Sequence, residues 1–426
     1  MPRVLLLAAT TGYQTRAFGD AAERLGVDLV YATDRCNVLD DPWQDRAVPI
    51  RFSDEGLSTA LILEAIRTKP VDGVLAVGDR PTVIAANVGA ALGLKCHSVE
   101  AAATARSKQL TRERLRGAGV PAPWFLTTPV SSDARLLGPP ITFPCVVKPL
   151  ALSGSRGVIR ANDAAELVAA FYRLRAILQA PDIRGERRPD HTMALVEGFI
   201  PGREFAVEGL LNEGALHLLA IFDKPDPMDG PFFEETIYVT PSSASSDQQR
   251  AIVDTVSRAA EAIGLSHGPI HAECRVNEEG VYVLEVAARP IGGLCARALR
   301  FTRGASASTS SLEELLLRHV LGESAEGWRR ESMASGVMMI PIPRRGVFRD
   351  VVGLDEARSV SGVFDVRITA KPDQLLVPLP EGASYLGFIF ARAATSLEVE
   401  HSLRAAHACL EFAIDPEVPM LQSLHG

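Results

Sequence analysis

Cysteine is scarce in this chain and never paired. Its six cysteines (Cys36, Cys96, Cys145, Cys274, Cys295 and Cys409) lie far apart, with no Cys-x-x-Cys spacing. That excludes a zinc ribbon or a dithiol motif; thiols set in apolar runs read as buried structural groups in a reducing cytosol. Apolar runs of membrane-spanning length are also missing. The opening MPRVLLLAATTGYQ is short and runs on into an amphipathic helix pattern, so it predicts a buried strand, not a signal peptide. A cytoplasmic protein with no membrane partner is expected. Excess positive charge is absent: the net charge is −8 with both signs spread along the chain, which argues against a nucleic-acid partner. There is no internal repeat and no low-complexity tract.

What remains is a chain of 426 residues, 47% hydrophobic and 23% charged, enough for a large core divided among several units. The first hundred residues alternate strand and helix. Strands are predicted at Val4–Ala8, Asp28–Ala32 and Gly73–Val77, and helices at Arg16–Leu25, Leu57–Arg67 and Pro81–Leu92. This βαβ rhythm implies a parallel sheet with helices on both faces. The loop Ala8–Thr15 lacks G-x-G-x-x-G spacing, so it supports no dinucleotide site. Val99 to about Phe125 reads as helical, and Pro181–His191 as a surface loop. Gln249–Ile263 has its apolar residues on one helix face. Toward the end, Val337–Ile342 and Tyr385–Ala391 read as strands. Thr395 and Glu398 form a capping box for a helix Leu397–Phe412, and Thr302–Ser311 reads as a Ser/Thr/Gly-rich loop.

Two predicted strands carry one glutamate each, Glu273 in PIHAECRV and Glu285 in VYVLEVA. A three-residue loop Glu278–Gly280 would pair Asn277 with Val281 and set Glu273 opposite Glu285. Like charges about 4.5–5.5 Å apart are destabilising without compensation, and a bound cation supplies it. Oxygen ligands on a rigid sheet suit Mg²⁺. The alternative is a register shifted by one, with one glutamate facing water.

The strand FPCVVKPL ends in Lys148, followed at once by LSGSRGV. A Ser/Gly loop can aim successive backbone N–H groups at an anion, with the lysine adding a point charge; otherwise this is a flexible hairpin with a surface lysine. Downstream, EGFIPGREFAV sets Glu197 and Glu204 around the apolar step Phe199–Ile200. Such a step suits a flat adenine ring, and a carboxylate suits a ribose; taken singly, each glutamate also fits a solvated strand end.

In order along the chain, these pieces resemble the ATP-grasp superfamily. The residues that carry the resemblance are Lys108, Lys148, SGSRGV, EGFIPGREF, Glu273 in HAEC, and LEVAARPIGG from Leu284 to Gly293; it spans about Val99 to Ala307. It implies an ATP-grasp fold, α/β and α+β: a doubly wound parallel α/β domain over 1–105, the ATP-grasp domain over 106–310, and a C-terminal α+β region over 311–426 completing the substrate site. It also implies roles. Lys108 and Lys148 would contact the ATP phosphates under the loop Ser153, Gly154, Ser155 and Gly157. Glu197, Phe199 and Ile200 would line the adenine slot, and Glu204 would hold the ribose. Glu273 and Glu285 would hold Mg²⁺ (or Mn²⁺ in its place), Arg289 would stabilise the phosphoryl group in flight, and the Gly292–Gly293 turn would let substrate reach the backbone.

Two departures from the family pattern stand out. Ala287 occupies the place where many relatives carry a metal-binding Asn, and Arg289 is followed by PIGG, unlike the Val-Glu-His of biotin-dependent carboxylases. The E-x-x-x-R-P-x-G-G pattern is closer to the L-amino-acid ligase branch. The stretch Phe222–Ser242 resembles the loop that reaches over the substrate site in those ligases, with Lys224 and Tyr238 as substrate contacts and Glu235 as the group that deprotonates the amine; read alone, it is also a plain surface excursion. The resemblance implies an enzyme that activates a small-molecule carboxylate as an acyl-phosphate and joins it to an amine, with a homodimer as the default assembly. The rivals are a purine-pathway ligase, a biotin-carboxylase-like enzyme and a non-catalytic ATP-binding module.

Overall fold

The computed structural model describes residues 1–9, 14–34, 47–186, 188–304 and 308–417. Cys36, the middle of the loop Ala8–Thr15 and the centre of Thr302–Ser311 lie outside that set.

The strand Arg3–Ala8 is apolar from Val4 onward because helices cover both of its faces. Val4 and Leu6 pack with Phe18 and Ala21 of the helix Thr15–Leu25. Leu5 and Leu7 pack with Ile62 of Glu55–Ala65 and with Ile84 and Val88 of Thr82–Leu92. Four parallel strands result, in the order Val48–Pro49, Asp28–Thr33, Arg3–Ala8, Gly73–Val77. Near-continuous apolar strands and two-sided cover go together in parallel sheets.

Two antiparallel sheets follow. The smaller has the order Phe125–Pro129, Met193–Gly198, Cys145–Pro149, Ile159–Ala161, and the helix Ala164–Leu178 packs on it through Leu167, Phe171 and Leu174. The larger has eight strands: Gly280–Ala287, Gly268–Asn277, Arg203–Asn212, Ala215–Lys224, Ile237–Thr240, Ala334–Ile340, Gly387–Ala393 and Val363–Ile368. This sheet runs across residue 310, so the C-terminal region adds strands to a sheet begun in the middle of the chain. One apolar core joins all three parts: Leu6 and Phe18, Ala206 and Phe222, Leu316, and Phe388 and Phe390 belong to it.

Several sequence expectations change. The helix from Val99 breaks at Ser107, whose extended backbone and side-chain oxygen cap a second helix, Lys108–Gly117. Lys108 therefore starts a helix and does not sit inside one. Pro181–His191 holds a short helix, Pro181–Arg184, and a 3₁₀ turn, Pro189–Thr192, that buries His191. The Thr395–Glu398 capping box forms, but its helix stops at Ala408, and Phe412 lies in a strand, Glu411–Asp415. Part of the Ser/Thr/Gly-rich stretch is strand, at Arg300–Arg303 and Ser310–Ser311.

The glutamate hairpin departs most instructively. Asn277 pairs with Gly280, so the turn is one residue tighter than expected. A bulge between Glu273 and Cys274 then skips Leu284 and restores the register, leaving Glu273 opposite Glu285 after all.

Candidate active site

A cavity of about 460 Å³ opens between the two antiparallel sheets and the C-terminal edge of the parallel one. Val146 and Lys148 come from the small sheet, Phe199 follows its strand Met193–Gly198, and Glu204, His271, Glu273 and Glu285 come from the large sheet. Gly78, Asp79 and Arg80 follow the strand Gly73–Val77, and Ser384, Tyr385 and Phe388 close the far wall.

A ladder of mostly charged residues with period two forms and backs its floor. Residues 204, 206 and 208 of one strand face 275, 273 and 271 of the next, so Glu204 pairs with Arg275, Ala206 with Glu273, and Glu208 with His271. Alternate residues point the other way into apolar packing: Phe205, Val207, Ile270, Ala272 and Cys274. Lys224 lies opposite Glu204 on the third strand. Opposite charges thus meet across strands on a surface that burial would otherwise make costly for any of them.

At one end two guanidiniums lie over the Phe199 ring, Arg160 at 4.1 Å and Arg275 at 5.0 Å from its centre, with Phe233 stacked at 6.3 Å. Arg275 donates to Glu204 at 2.8 Å, to the carbonyl of Ile200 at 2.8 Å and to the carbonyl of Met228. It thereby fixes the edges of a flat apolar slot. Ile200 lines that slot, whereas Glu197 is not among the residues lining the cavity. Behind the wall, Glu197 bridges Lys148 at 2.5 Å and Arg112 at 2.9 Å. Burial would raise its pKa, but Arg112 and Lys148 hold it below the usual range. Burial also lowers the pKa of Lys148 against the pull of Glu197.

Over Lys148 lies the loop Ser153–Gly157. Lys108 donates to the carbonyl of Leu152 at 2.7 Å, and Ser153, Gly154 and Ser155 line the cavity. Gly157 does not line it, but its N–H bonds the carbonyl of Pro380 at 2.9 Å, and Arg156 donates to the carbonyl of Glu381 at 2.8 Å. The loop is therefore tied to the C-terminal region. Leu152, Gly154, Ser155 and Gly157 all have positive φ, a conformation that turns the chain tightly and that glycine adopts at least cost.

At the other end Lys224, expected as a substrate contact, does not line the cavity: its buried ammonium donates to three carboxylates that do, Glu204 and Glu273 at 2.8 Å and Glu235 at 2.7 Å. Burial would lower its pKa, yet Glu204, Glu235 and Glu273 together raise it well above the lysine range. Burial raises Glu235 to about 7, with Lys224 opposing and Glu273 adding to the rise. Glu273 would also rise on burial, but Lys224 and His271 hold it well below the carboxylate range. Tyr238 reaches Glu273 at 3.5 Å, and burial raises its phenol well above its ordinary value.

The oxygens of Glu204, Glu235 and Glu273 lie within 4.8 Å of one another, but an ammonium occupies their centre. Glu273 and Glu285, register partners that both line the cavity, offer hard oxygen donors of the kind a divalent Mg²⁺ takes. Ala287 adds no donor. Arg289 is gripped by Asp79 at 2.8 and 3.3 Å; burial opposes its charge, and Asp79 outweighs burial. Gly292 and Gly293 line the cavity beside it.

Sequence reading missed Asp79, Arg112, Glu208, His271 and Arg275. Two-residue periodicity from Glu204 and Glu273 would have found Glu208, His271 and Arg275, since they share a strand face. Asp79 follows the end of a parallel strand, where α/β sheets gather ligands. Arg112 carries a weaker signal, four residues after Lys108 on one helix.

Comparison with known proteins agrees with this fold. Three family models match in sequence order: ATP-grasp N-terminal domain over residues 19–94, ATP-grasp domain over 141–298, and L-amino acid ligase C-terminal domain 2 over 338–415. An alanine–anticapsin ligase of Bacillus subtilis is 29% identical over 216 residues, 47% of this chain and 44% of that protein. A dapdiamide A synthase of Enterobacter agglomerans is 26% identical over 236 residues, 54% of each chain. The chain thus spans about half the length of these curated relatives. The crystal structure of an L-amino acid ligase from Bacillus licheniformis superposes with a TM-score of 0.82 at 27% identity, covering 97% of this chain and 99% of that one. The chain has the ATP-grasp fold, with segments that match ATP-grasp N-terminal and ATP-grasp domains and the C-terminal domain 2 of L-amino acid ligases.

Proposed function

We propose that this protein is an ATP-dependent carboxylate–amine ligase that forms an amide between amino-acid substrates through an acyl-phosphate, releasing ADP and phosphate. One observation carries the reading. A single cavity is lined by the cations Lys108, Lys148 and Arg289, the oxygen donors Glu273 and Glu285, and a carboxyl, Glu235, poised near neutrality.

A carboxylate oxygen is a poor leaving group, and transfer of the γ-phosphoryl group from ATP makes it a good one. The protein positions the attack and surrounds the phosphoryl oxygens with positive charge. Phe199 and Ile200 take the adenine between apolar walls, and Glu204 faces the ribose. Lys148, braced by Glu197, and Lys108 take the phosphates under the Ser153–Gly157 loop. Glu273 and Glu285 would hold Mg²⁺, which when bound neutralises phosphate charge. Arg289, oriented by Asp79, faces the carboxylate being phosphorylated. Glu235, with a pKa about 7, accepts a proton from the incoming ammonium so that a neutral amine attacks. Closure by the loop excludes water, which would otherwise hydrolyse the acyl-phosphate.

The test is a phosphate-release screen over amino-acid pairs with ATP and Mg²⁺, the products identified by mass spectrometry. Amide product is expected for at least one pair, and Glu285→Ala should abolish it. Amide formation that survives intact in Glu285→Ala would sink the reading.

A further inference from the structure

Glu208 lies just behind the cavity wall and is 1% exposed. One of its oxygens accepts from Nδ1 of His271, its cross-strand partner. The other accepts from the backbone N–H of Ile291 at 3.1 Å. The Ile291 carbonyl in turn accepts from Gln14 of the N-terminal domain at 2.5 Å. Glu208 therefore ties the His271 ring, on the neighbouring strand, to a segment that the sheet does not hold. The segment Arg289–Gly293 has left the last strand at Ala287, and Pro290 within it has no N–H to bond. His271 needs a fixed ring because its Nε2 edge lies 3.7 Å from Glu273.

We propose that Glu208 is a positioning residue for the ligase reaction, and this rests on the function proposed above. It sets the His271 ring beside Glu273, and it sets the bend that carries Arg289 and the Gly292–Gly293 turn. The role needs a carboxylate. Two separate oxygens serve two N–H donors, whereas a glutamine amide has one accepting oxygen and an NH₂ that repels a second donor. A buried N–H left without an acceptor moves or drags its segment with it.

Glu208→Gln tests this with nearly unchanged volume. The turnover number is expected to fall by about 10- to 100-fold, the usual range for groups that orient direct ligands, with the KM for ATP within about twofold of wild type. Glu208→Asp keeps both oxygens and should recover part of the loss. A merely structural role would lower kcat, ATP affinity and melting temperature together, with no recovery in the aspartate variant; that pattern overturns the proposal, as does a folded Glu208→Gln enzyme with wild-type turnover. A second measurement does not depend on turnover. The Nδ1 proton of His271 should resonate far downfield in proton NMR of the wild-type protein and be lost in Glu208→Gln. Persistence of that resonance refutes the tie to the ring. If the wild type makes no amide with any pair, the ligase reading fails by itself, and the resonance still decides whether Glu208 holds the ring.

Discussion

The ammonium of Lys224 sits where three carboxylates converge, and that placement decides how each of them ionises. It is 2.8 Å from Glu204 and Glu273 and 2.7 Å from Glu235. Removing it leaves buried negative charges facing one another, a change that costs about 3–5 kcal/mol when one member of a buried pair is lost. Glu235 then rises above its present pKa of about 7, because Lys224 no longer opposes burial and Glu273. In its proposed role as base, Glu235 acts only when ionised, so kcat/KM should climb as pH rises through about 7 and level off above it. In Lys224→Met that limb should move to higher pH, each unit lowering the rate about tenfold on the acid side. A pH–rate profile measures it; an unmoved limb would remove Glu235 from the role of base. At this scale Lys224 and Glu235 were legible only through resemblance to a family loop. Their convergence depends on cross-strand pairing between segments that the sequence keeps apart.

Strands and loops were legible where a period or a cap marks them. The βαβ rhythm of the first hundred residues and the Thr395–Glu398 cap follow from local chemistry, and both are present. Breaks inside elements were harder to read. Ser107 stops one helix and caps the next, yet nothing in its immediate neighbours requires the turn. The glutamate hairpin makes the same point, since its turn is tighter than expected and a bulge at Leu284 compensates. The loop over Lys148 gives a direct test at this scale. Gly157 has φ +76, and a Cβ there would lie 3.0 Å from Leu174 and 3.2 Å from Pro149. Holding an L-residue in the left-handed region costs roughly 1–2 kcal/mol. Gly157→Ala should therefore weaken ATP binding by about tenfold, read by calorimetry, with circular dichroism unchanged. Unaltered ATP affinity would show that the loop does not close on the phosphates.

At the scale of the whole molecule, a seam of histidines joins the N-terminal domain to the rest. His97 precedes the helix Val99–Arg106, His267 precedes the strand Gly268–Asn277, and His319 ends the helix Leu312–Val320. His267 and His319 stack at 4.6 Å. Burial holds His97 and His319 down to about 4, so both fold as neutral rings while the unfolded chain takes up protons near 6.5. Stability is complete above pH 6.5 and drains as pH falls toward 4, by about 1.4 kcal/mol per unit for each ring. Melting temperature should therefore drop between pH 6.5 and 4.5, and less steeply in His319→Leu; equal slopes in the two proteins would rule His319 out as a cause. Among the described residues no helix is long and apolar enough to cross a membrane. By itself the sequence determined the parallel N-terminal sheet and the order of the ATP-grasp motifs, because periodicity, caps and motif spacing are local. Only the tertiary structure decided that Glu197 braces Lys148, that Asp79 grips Arg289, and that Lys224 lies among three carboxylates. Those pairings join residues from 11 to 210 positions apart, and only the packing of the sheets brings them within hydrogen-bond reach.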